Sequence, residues 1–157
     1  MVLEDVLPSN LEHAREAIRR ELSAEMLGRA TGGQVAFAHT IEDAVRGAGL
    51  AIDCVPDELE SKLEILWLLD RMAPPHTVFA TPTTQLAIAD LGACTYRPEK
   101  CIAIGASPGE LTGLVEERGA KIVLRAGPAT SKETVALVED FWQRLGFRPA
   151  VEREGAA

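Results

Sequence analysis

Short apolar segments alternate with helical patterns along this chain, and this alternation constrains the fold more than any other feature. Strand-like segments lie at residues 2–6, 34–38, 50–55, 77–81, 101–106, 121–126 and 148–152. Apolar residues recur at helical spacing from residue 11 to 26, and further helices are expected at 41–46, 56–72, 88–94 and 131–145. Strands that alternate with helices predict a mostly parallel sheet covered on both faces. We therefore expect a single α/β domain over residues 1–157.

Several helix ends are marked by residues that favour capping positions. Ser9 or Asn10 is expected to cap the first helix, and Thr40 the second. Ser107 and Glu110 have the spacing of a capping box, with a proline at the first helical position between them. This pattern predicts a short helix directly after the fifth strand.

Charge and composition exclude several classes of protein. The net charge of −8, without any basic run, argues against a nucleic-acid partner. No apolar run approaches the roughly 20 residues of a membrane span, and no signal-peptide pattern is present. Cys54, Cys94 and Cys101 lack metal-ligand spacing and lie in apolar segments. They are expected to be buried or half-buried free thiols of a cytoplasmic protein, with no metal site.

Five segments then form a recognisable series: IEDAV at 41–45, AIDCVPD at 51–57, FATPTTQL at 79–86, RPE at 97–99 and GPATSKET at 127–134. In their order and spacing they resemble the NAD-binding domain of the L-3-hydroxyacyl-CoA dehydrogenase family. The resemblance implies a Rossmann-like doubly wound sheet, NAD as the cofactor and an acyl-CoA-type substrate. It also implies the family reaction of fatty-acid metabolism, in which L-3-hydroxyacyl-CoA and NAD give 3-ketoacyl-CoA.

Four residues match cofactor-binding positions of that family. Asp5, at the end of the first strand, corresponds to the acid that binds the adenosine ribose, or is a strand-end acid facing water. Asp57 and Lys62 correspond to residues that flank the nicotinamide. Asp57 could equally cap a helix together with Glu60, and Lys62 could be a solvated charge on a helix face. Thr84 replaces a family serine that contacts cofactor and substrate, or is a turn threonine.

The chain also departs from the family pattern. It begins at the family's second strand, without the first strand and its Gly-x-Gly-x-x-Gly turn, and ends before the helical C-terminal substrate and dimerisation domain. The catalytic histidine corresponds to Gly105, and glycine cannot accept a proton. The glutamate partner of that histidine corresponds to Glu116 or, in the alignment that fits the sixth strand better, to Leu124. His13, His39 and His76 do not match the catalytic position and are expected at the surface or in turns.

The missing first strand is central in such a sheet, so two apolar strand edges are left open. We expect the sheet to re-close, a partner chain or a second copy to cover the edges, or the gene product to start upstream. Two functions remain. The chain is either the NAD-binding part of a dehydrogenase, not catalytic by itself, or a non-catalytic binding module that retained the scaffold.

Overall fold

The computed structural model describes residues 1–25, 34–114 and 119–155, with the side chains of residues 22–25 left out. Tertiary contacts divide the chain into two compact units, Met1–Gly47 and Ala48–Ala157. The described strands form two sheets, one of two strands and one of five. The prediction of a single domain, and that of a partner covering the open edges, stay predictions.

The first unit is a β-α-β arrangement followed by a short helix. Strand β1 (Val2–Glu4) and strand β2 (Ala36–Ala38) pair in parallel, and helix α1 (Pro8–Glu25) lies between them in the chain. Helix α2 (Ile41–Val45) begins after Thr40, whose hydroxyl accepts a hydrogen bond from the Asp43 amide at 3.2 Å, which confirms the predicted cap. The cap predicted for α1 is wrong, because this helix already includes Ser9 and Asn10.

The second unit contains the larger sheet. Its strands are β3 (Leu50–Ile52), β4 (Val78–Pro82), β5 (Cys101–Ile104), β6 (Lys121–Ala126) and β7 (Arg148–Arg153), in that spatial order. Neighbouring strands are parallel except β5 and β6, which are antiparallel. Four helices join them: α3 (Leu59–Met72), α4 (Ile88–Gly92), α5 (Pro108–Leu114) and α6 (Lys132–Arg144). This is the mostly parallel α/β sheet that the sequence predicts.

The core of the second unit comes from its central strands and from α6. Seven apolar residues of β4, β5 and β6 are buried and pack with Val135, Val138 and Trp142 of α6: Val78, Ala80, Ile102, Ile104, Ile122, Leu124 and Ala126. All four residues of β5 are buried, as expected for a strand covered on both faces. Helix α6 begins after Ser131, which accepts a hydrogen bond from the Thr134 amide, and is followed by Gly146 at φ +89°. Glycine favours this left-handed conformation, which ends the helix where the sequence predicts.

Candidate functional site

The carboxyl ends of β3, β4 and β5 lie at one edge of the sheet, because these three neighbouring strands are parallel. Ligands bind at this edge in open α/β sheets. Asp53 follows β3, Thr83 follows β4 and Gly105 follows β5. We call the polar residues Asp53, Asp57, Lys62 and Thr84 the carboxyl-edge site.

Asp57 and Thr84 are brought together although they lie 27 residues apart. The Asp57 carboxylate accepts hydrogen bonds through Oδ2 from the Thr84 amide at 2.9 Å and from the Thr84 hydroxyl at 3.3 Å. Its Oδ1 is buried and has no hydrogen-bond partner among the described residues. The predicted Asp57–Glu60 capping box is wrong, because α3 begins two residues after Asp57 and has no side-chain cap.

These contacts change the acidity of Asp57. Burial raises the pKa of this carboxyl. The neighbouring Thr83 hydroxyl and the hydrogen bonds from Thr84 lower the pKa by more than burial raises it. The net effect is a pKa below the usual value for an aspartate. Asp57 therefore presents an ionised carboxylate at this edge of the sheet, with one oxygen still able to accept a hydrogen bond.

Lys62 lies near the start of helix α3, but its side chain is not at the protein surface. Its ammonium is fully buried and donates to Asp53 Oδ1 at 2.6 Å, and the Asp53 side chain is 1% exposed. Burial raises the pKa of Asp53, while the ammonium of Lys62 works against this shift. The interpretation of Lys62 as a solvated surface charge is wrong. The contact of Lys62 with the cofactor stays a prediction. Its ammonium is already paired with the Asp53 carboxylate.

Sequence reasoning did not single out Asp53. The available signal was an acidic residue directly after an apolar strand, nine residues before a lysine on the next helix. Asp53 Oδ2 is also buried without a hydrogen-bond partner among the described residues. Asp53 Oδ2 and Asp57 Oδ1 are thus both buried without a close hydrogen-bond partner among the described residues, while the Thr81 and Thr83 hydroxyls lower the pKa of the respective carboxyls.

Gly105, which the resemblance predicts at the position of the family's catalytic histidine, faces Val123 on the neighbouring strand. Its amide donates to the Val123 carbonyl at 2.8 Å, and a Cβ at position 105 would lie 3.1 Å from Val123 Cβ. Leu124 instead pairs with Ile104 and is completely buried. Val123 thus lies across from Gly105, and neither of these two residues has a side chain that can carry a proton. The correspondence of Leu124 or Glu116 to the family's glutamate stays a prediction. Glu116 lies outside the described residues.

The predicted capping box after β5 is confirmed. The Ser107 amide donates to the Glu110 carboxylate at 2.7 Å, and the Glu110 amide donates to the Ser107 hydroxyl at 3.3 Å. These hydrogen bonds hold the pKa of Glu110 below its usual value. Helix α5 therefore begins immediately after the strand that ends beside Gly105.

Asp5 lies in the first unit, directly after β1, and its carboxylate contacts the start of α1. One oxygen accepts from the Leu7 amide at 2.7 Å, and both accept from the Asn10 side-chain amide at 3.1 Å. A carboxylate has about four acceptor positions, so capacity for one further donor remains. The contact with a ribose hydroxyl stays a prediction.

The other candidate residues have ordinary environments. His13, His39 and His76 are exposed, as expected for surface residues. All three cysteines are free, with Cys101 buried and Cys94 intermediate, but Cys54 is exposed, contrary to the prediction. Burial of the thiol raises the pKa of Cys101 to about 11, which disfavours a reactive thiolate.

The described residues contain neither a metal-ligating cluster nor a membrane-spanning helix. No group of three metal-ligating side chains was found within residues 1–25, 34–114 and 119–155. Over the same part of the chain, no helix has the length and apolar character needed to cross a membrane.

The chain was compared with protein families and with individual proteins. The family model "3-hydroxyacyl-CoA dehydrogenase, NAD binding domain" matches residues 1–155. A protein named "Probable 3-hydroxybutyryl-CoA dehydrogenase" from Bacillus subtilis is 31% identical over 94% of this chain and 52% of its own length. L-carnitine dehydrogenase from Burkholderia mallei is 32% identical over 91% of this chain and 42% of its own length.

A solved structure shows the same fold. The crystal structure of the NAD⁺-dependent 5-formyl-3-hydroxy-2-methylpyridine 4-carboxylic acid 5-dehydrogenase superposes with a TM-score of 0.78 at 29% identity. The match covers 98% of this chain and 50% of that chain, and the similar sequence is from Mesorhizobium japonicum. The chain therefore spans about half the length of the relatives it matches.

Proposed function

The chain belongs to the family of the 3-hydroxyacyl-CoA dehydrogenase NAD-binding domain, and from this premise we propose that it binds NAD without catalysing hydride transfer by itself. NAD is the cofactor of this family and of the similar dehydrogenase of known structure. The observation that carries the proposal is the contrast between a polar site at Asp57 and Thr84 and the pair Gly105–Val123 beside it.

The Asp57–Thr84 pair suits the carboxamide of a nicotinamide. A carboxamide carries two N–H donors and one carbonyl acceptor. Asp57 Oδ1 is a buried acceptor without a partner among the described residues, and the Thr84 hydroxyl lies 3.3 Å from the other carboxylate oxygen. When bound, NAD would supply hydride acceptance, while Asp57 and Thr84 would bind and orient its nicotinamide end.

The family's acid–base step has no proton acceptor at position 105, where the resemblance predicts the catalytic histidine. Abstraction of a hydroxyl proton needs a titratable side chain within hydrogen-bond distance of the substrate. Position 105 is a glycine, and a histidine placed there would have to displace the Val123 side chain 3.1 Å from its Cβ. This supports a chain that holds cofactor but does not itself turn over a 3-hydroxyacyl-CoA.

The substrate class is a proposal that rests on relatives. Their names include acyl-CoA, carnitine and pyridine-carboxylate dehydrogenases, so the printed names do not agree on one substrate. We propose an acyl-CoA-type compound, because the family model itself is named for that class.

A second candidate is a binding module that no longer uses NAD. It is favoured by the ion pair between Lys62 and Asp53. The Lys62 ammonium, which is expected near the nicotinamide, is already paired with the Asp53 carboxylate in this contact. NADH binding separates the two candidates.

The test is a titration of the folded chain with NADH, followed by energy transfer from Trp67 and Trp142. We expect saturable binding below about 1 mM, the upper end of common enzyme affinities. Asp57→Asn with Thr84→Val should weaken it by roughly tenfold to a hundredfold, because a hydrogen bond to a charged group is lost. Asp140→Asn, on the exposed face of α6, is the matched control and should bind as the unmodified chain does.

Two results would contradict the proposal. A folded chain that does not bind NADH below about 1 mM would favour the module without cofactor. Formation of NADH from NAD and 3-hydroxybutyryl-CoA by the chain alone would refute the non-catalytic part.

A further inference from the structure

The turn between β4 and α4 carries Thr84 and is held together by a buried hydroxyl. Thr83 is completely buried, and its hydroxyl accepts from the Gln85 amide at 3.4 Å and from the Leu86 amide at 3.1 Å. Its own amide donates to the Ile104 carbonyl at 2.9 Å. These hydrogen bonds attach the turn to the sheet through the Thr83 hydroxyl and amide. They do not involve the carbonyls of Thr83 and Leu86, which accept from a different donor.

Arg125 of β6 supplies that donor from behind the turn. Its Nη2 donates to the Thr83 carbonyl at 2.8 Å and to the Leu86 carbonyl at 3.3 Å. The side chain is 20% exposed, and its Nε is buried without a hydrogen-bond partner among the described residues. One amino group of the guanidinium thus joins both ends of the turn.

Glu154, directly after β7, holds the other end of the same segment. Its carboxylate accepts from the Ile88 amide at 2.9 and 3.1 Å and from the Ala89 amide at 3.4 Å. Its Oε1 lies 3.7 Å from Arg125 Nη1, and its backbone amide donates to the Ala126 carbonyl at 2.9 Å. The segment from Thr83 to Ala89 therefore accepts hydrogen bonds from Arg125 and donates hydrogen bonds to Glu154, and these two side chains form an ion pair with each other.

We infer that Arg125 and Glu154 are positioning residues that hold Thr84 against Asp57. Neither touches Thr84, yet they fix a carbonyl one residue before it and amides four and five residues after it. The Thr84 amide and hydroxyl can meet one carboxylate oxygen only when this turn keeps its shape. The consequence for cofactor affinity rests on the proposed function, whereas the effect on the Thr84–Asp57 contact does not.

A buried arginine Nε without a hydrogen-bond partner among the described residues costs free energy. Sequences accept such local costs mainly at functional or strained sites. This cost supports a role for Arg125 in shaping the turn beyond filling the space between strand and loop.

The experiment compares Arg125→Met and Glu154→Ala with two exposed neighbours on β7, Arg153→Met and Glu152→Ala. NADH titration measures affinity, and NMR hydrogen exchange measures opening at the Thr84 amide relative to the core amide of Leu124. We expect Arg125→Met and Glu154→Ala to weaken NADH binding and to speed relative Thr84 exchange, each by at least about tenfold. The two neighbour variants should change neither.

Glu154→Gln is the conservative variant. It keeps a carbonyl oxygen for the amides of Ile88 and Ala89 but loses the charge that faces Arg125. We expect it to restore most of the affinity and of the Thr84 protection that Glu154→Ala loses. Because each exchange rate is taken relative to Leu124, a general loss of stability does not produce the expected signal.

The outcomes are distinguishable. If the unmodified chain binds NADH and both variants bind like the neighbour controls, the inference is overturned and the proposed function stands. If the unmodified chain does not bind NADH, the proposed function fails, and Thr84 exchange decides. Faster relative exchange in Arg125→Met and Glu154→Ala then supports the positioning role, and unchanged exchange overturns it.

Discussion

Helix α3 carries a buried ion pair near each of its ends, and the two pairs differ in how completely their polar atoms are matched. At the carboxyl end, Asp70 accepts from Arg97 Nε at 2.7 Å through one oxygen and from the Tyr96 amide at 2.8 Å through the other. At the amino end, Asp53 accepts from Lys62 through Oδ1, and Oδ2 has no hydrogen-bond partner among the described residues.

The Arg97 pair holds the end of the helix. Its guanidinium donates to the carbonyl of Asp70 in the last turn, which an α-helix leaves without an internal partner, and to the carbonyls of Ala73 and Pro74 that follow. It lies 5.1 Å from the centre of the Phe79 ring. The RPE segment that contributed to the family resemblance thus has a structural role at Arg97. Both carboxylate oxygens of Asp70 are thus matched within the chain, whereas Asp53 Oδ2 is buried without a hydrogen-bond partner among the described residues.

The largest expected effect comes from breaking the amino-end pair. Lys62→Met leaves the Asp53 carboxylate buried and unpaired, and loss of one partner of a buried pair costs about 3–5 kcal/mol of unfolding free energy. Urea unfolding measures this loss. Asp53→Leu combined with Lys62→Met removes both charges and should recover most of it. A loss of less than about 1 kcal/mol in the single variant would place Lys62 in the class of exposed charges.

A smaller effect is expected when the carboxyl-end pair keeps its charge but loses its fork. Arg97→Lys retains an ammonium but cannot serve Asp70 and three carbonyls together, so we expect a loss of about 2 kcal/mol in urea unfolding. Arg144→Lys, in the exposed pair with Asp140 on α6, is the matched control and should change stability by less than about 0.5 kcal/mol. Equal losses of stability in Arg97→Lys and Arg144→Lys would show that the buried Arg97–Asp70 pair contributes no more than the exposed Arg144–Asp140 pair.

The smallest effect concerns Asp57, the second carboxylate of the amino end. Its pKa is below the usual value because the Thr83 and Thr84 groups outweigh the effect of burial, which alone raises it. A lowered pKa adds stability above the unfolded value of about 4, and this contribution disappears as the pH falls through the folded value.

Asp57→Asn should therefore reduce stability at neutral pH and differ less from the unmodified chain below about pH 4. Urea midpoints measured from neutral to acid pH follow this difference. A difference that stays constant over the whole range would show that the Asp57 charge does not contribute.

Some features could be predicted from the sequence because they depend on neighbours in the chain. The bounds of β6, the cap of α2 by Thr40, the box of Ser107 with Glu110 and the glycine that follows α6 were all predicted. Each involves groups within about one helical turn, where spacing alone fixes which donor meets which acceptor. The resemblance to the family likewise came from the order of short segments and was confirmed by the family model.

Only the tertiary structure decided which partner each site residue has. Asp57 has the spacing of a helix cap, but it binds Thr84, 27 residues further along the chain. Lys62 has the position of a surface charge, but packing buries it against Asp53. Arg125 on β6 and Glu154 directly after β7 lie far from residues 83–89 in the sequence and meet that turn only when the sheet forms. A polar side chain takes whichever partner the assembled strands bring within hydrogen-bond distance, and the sequence does not specify that distance.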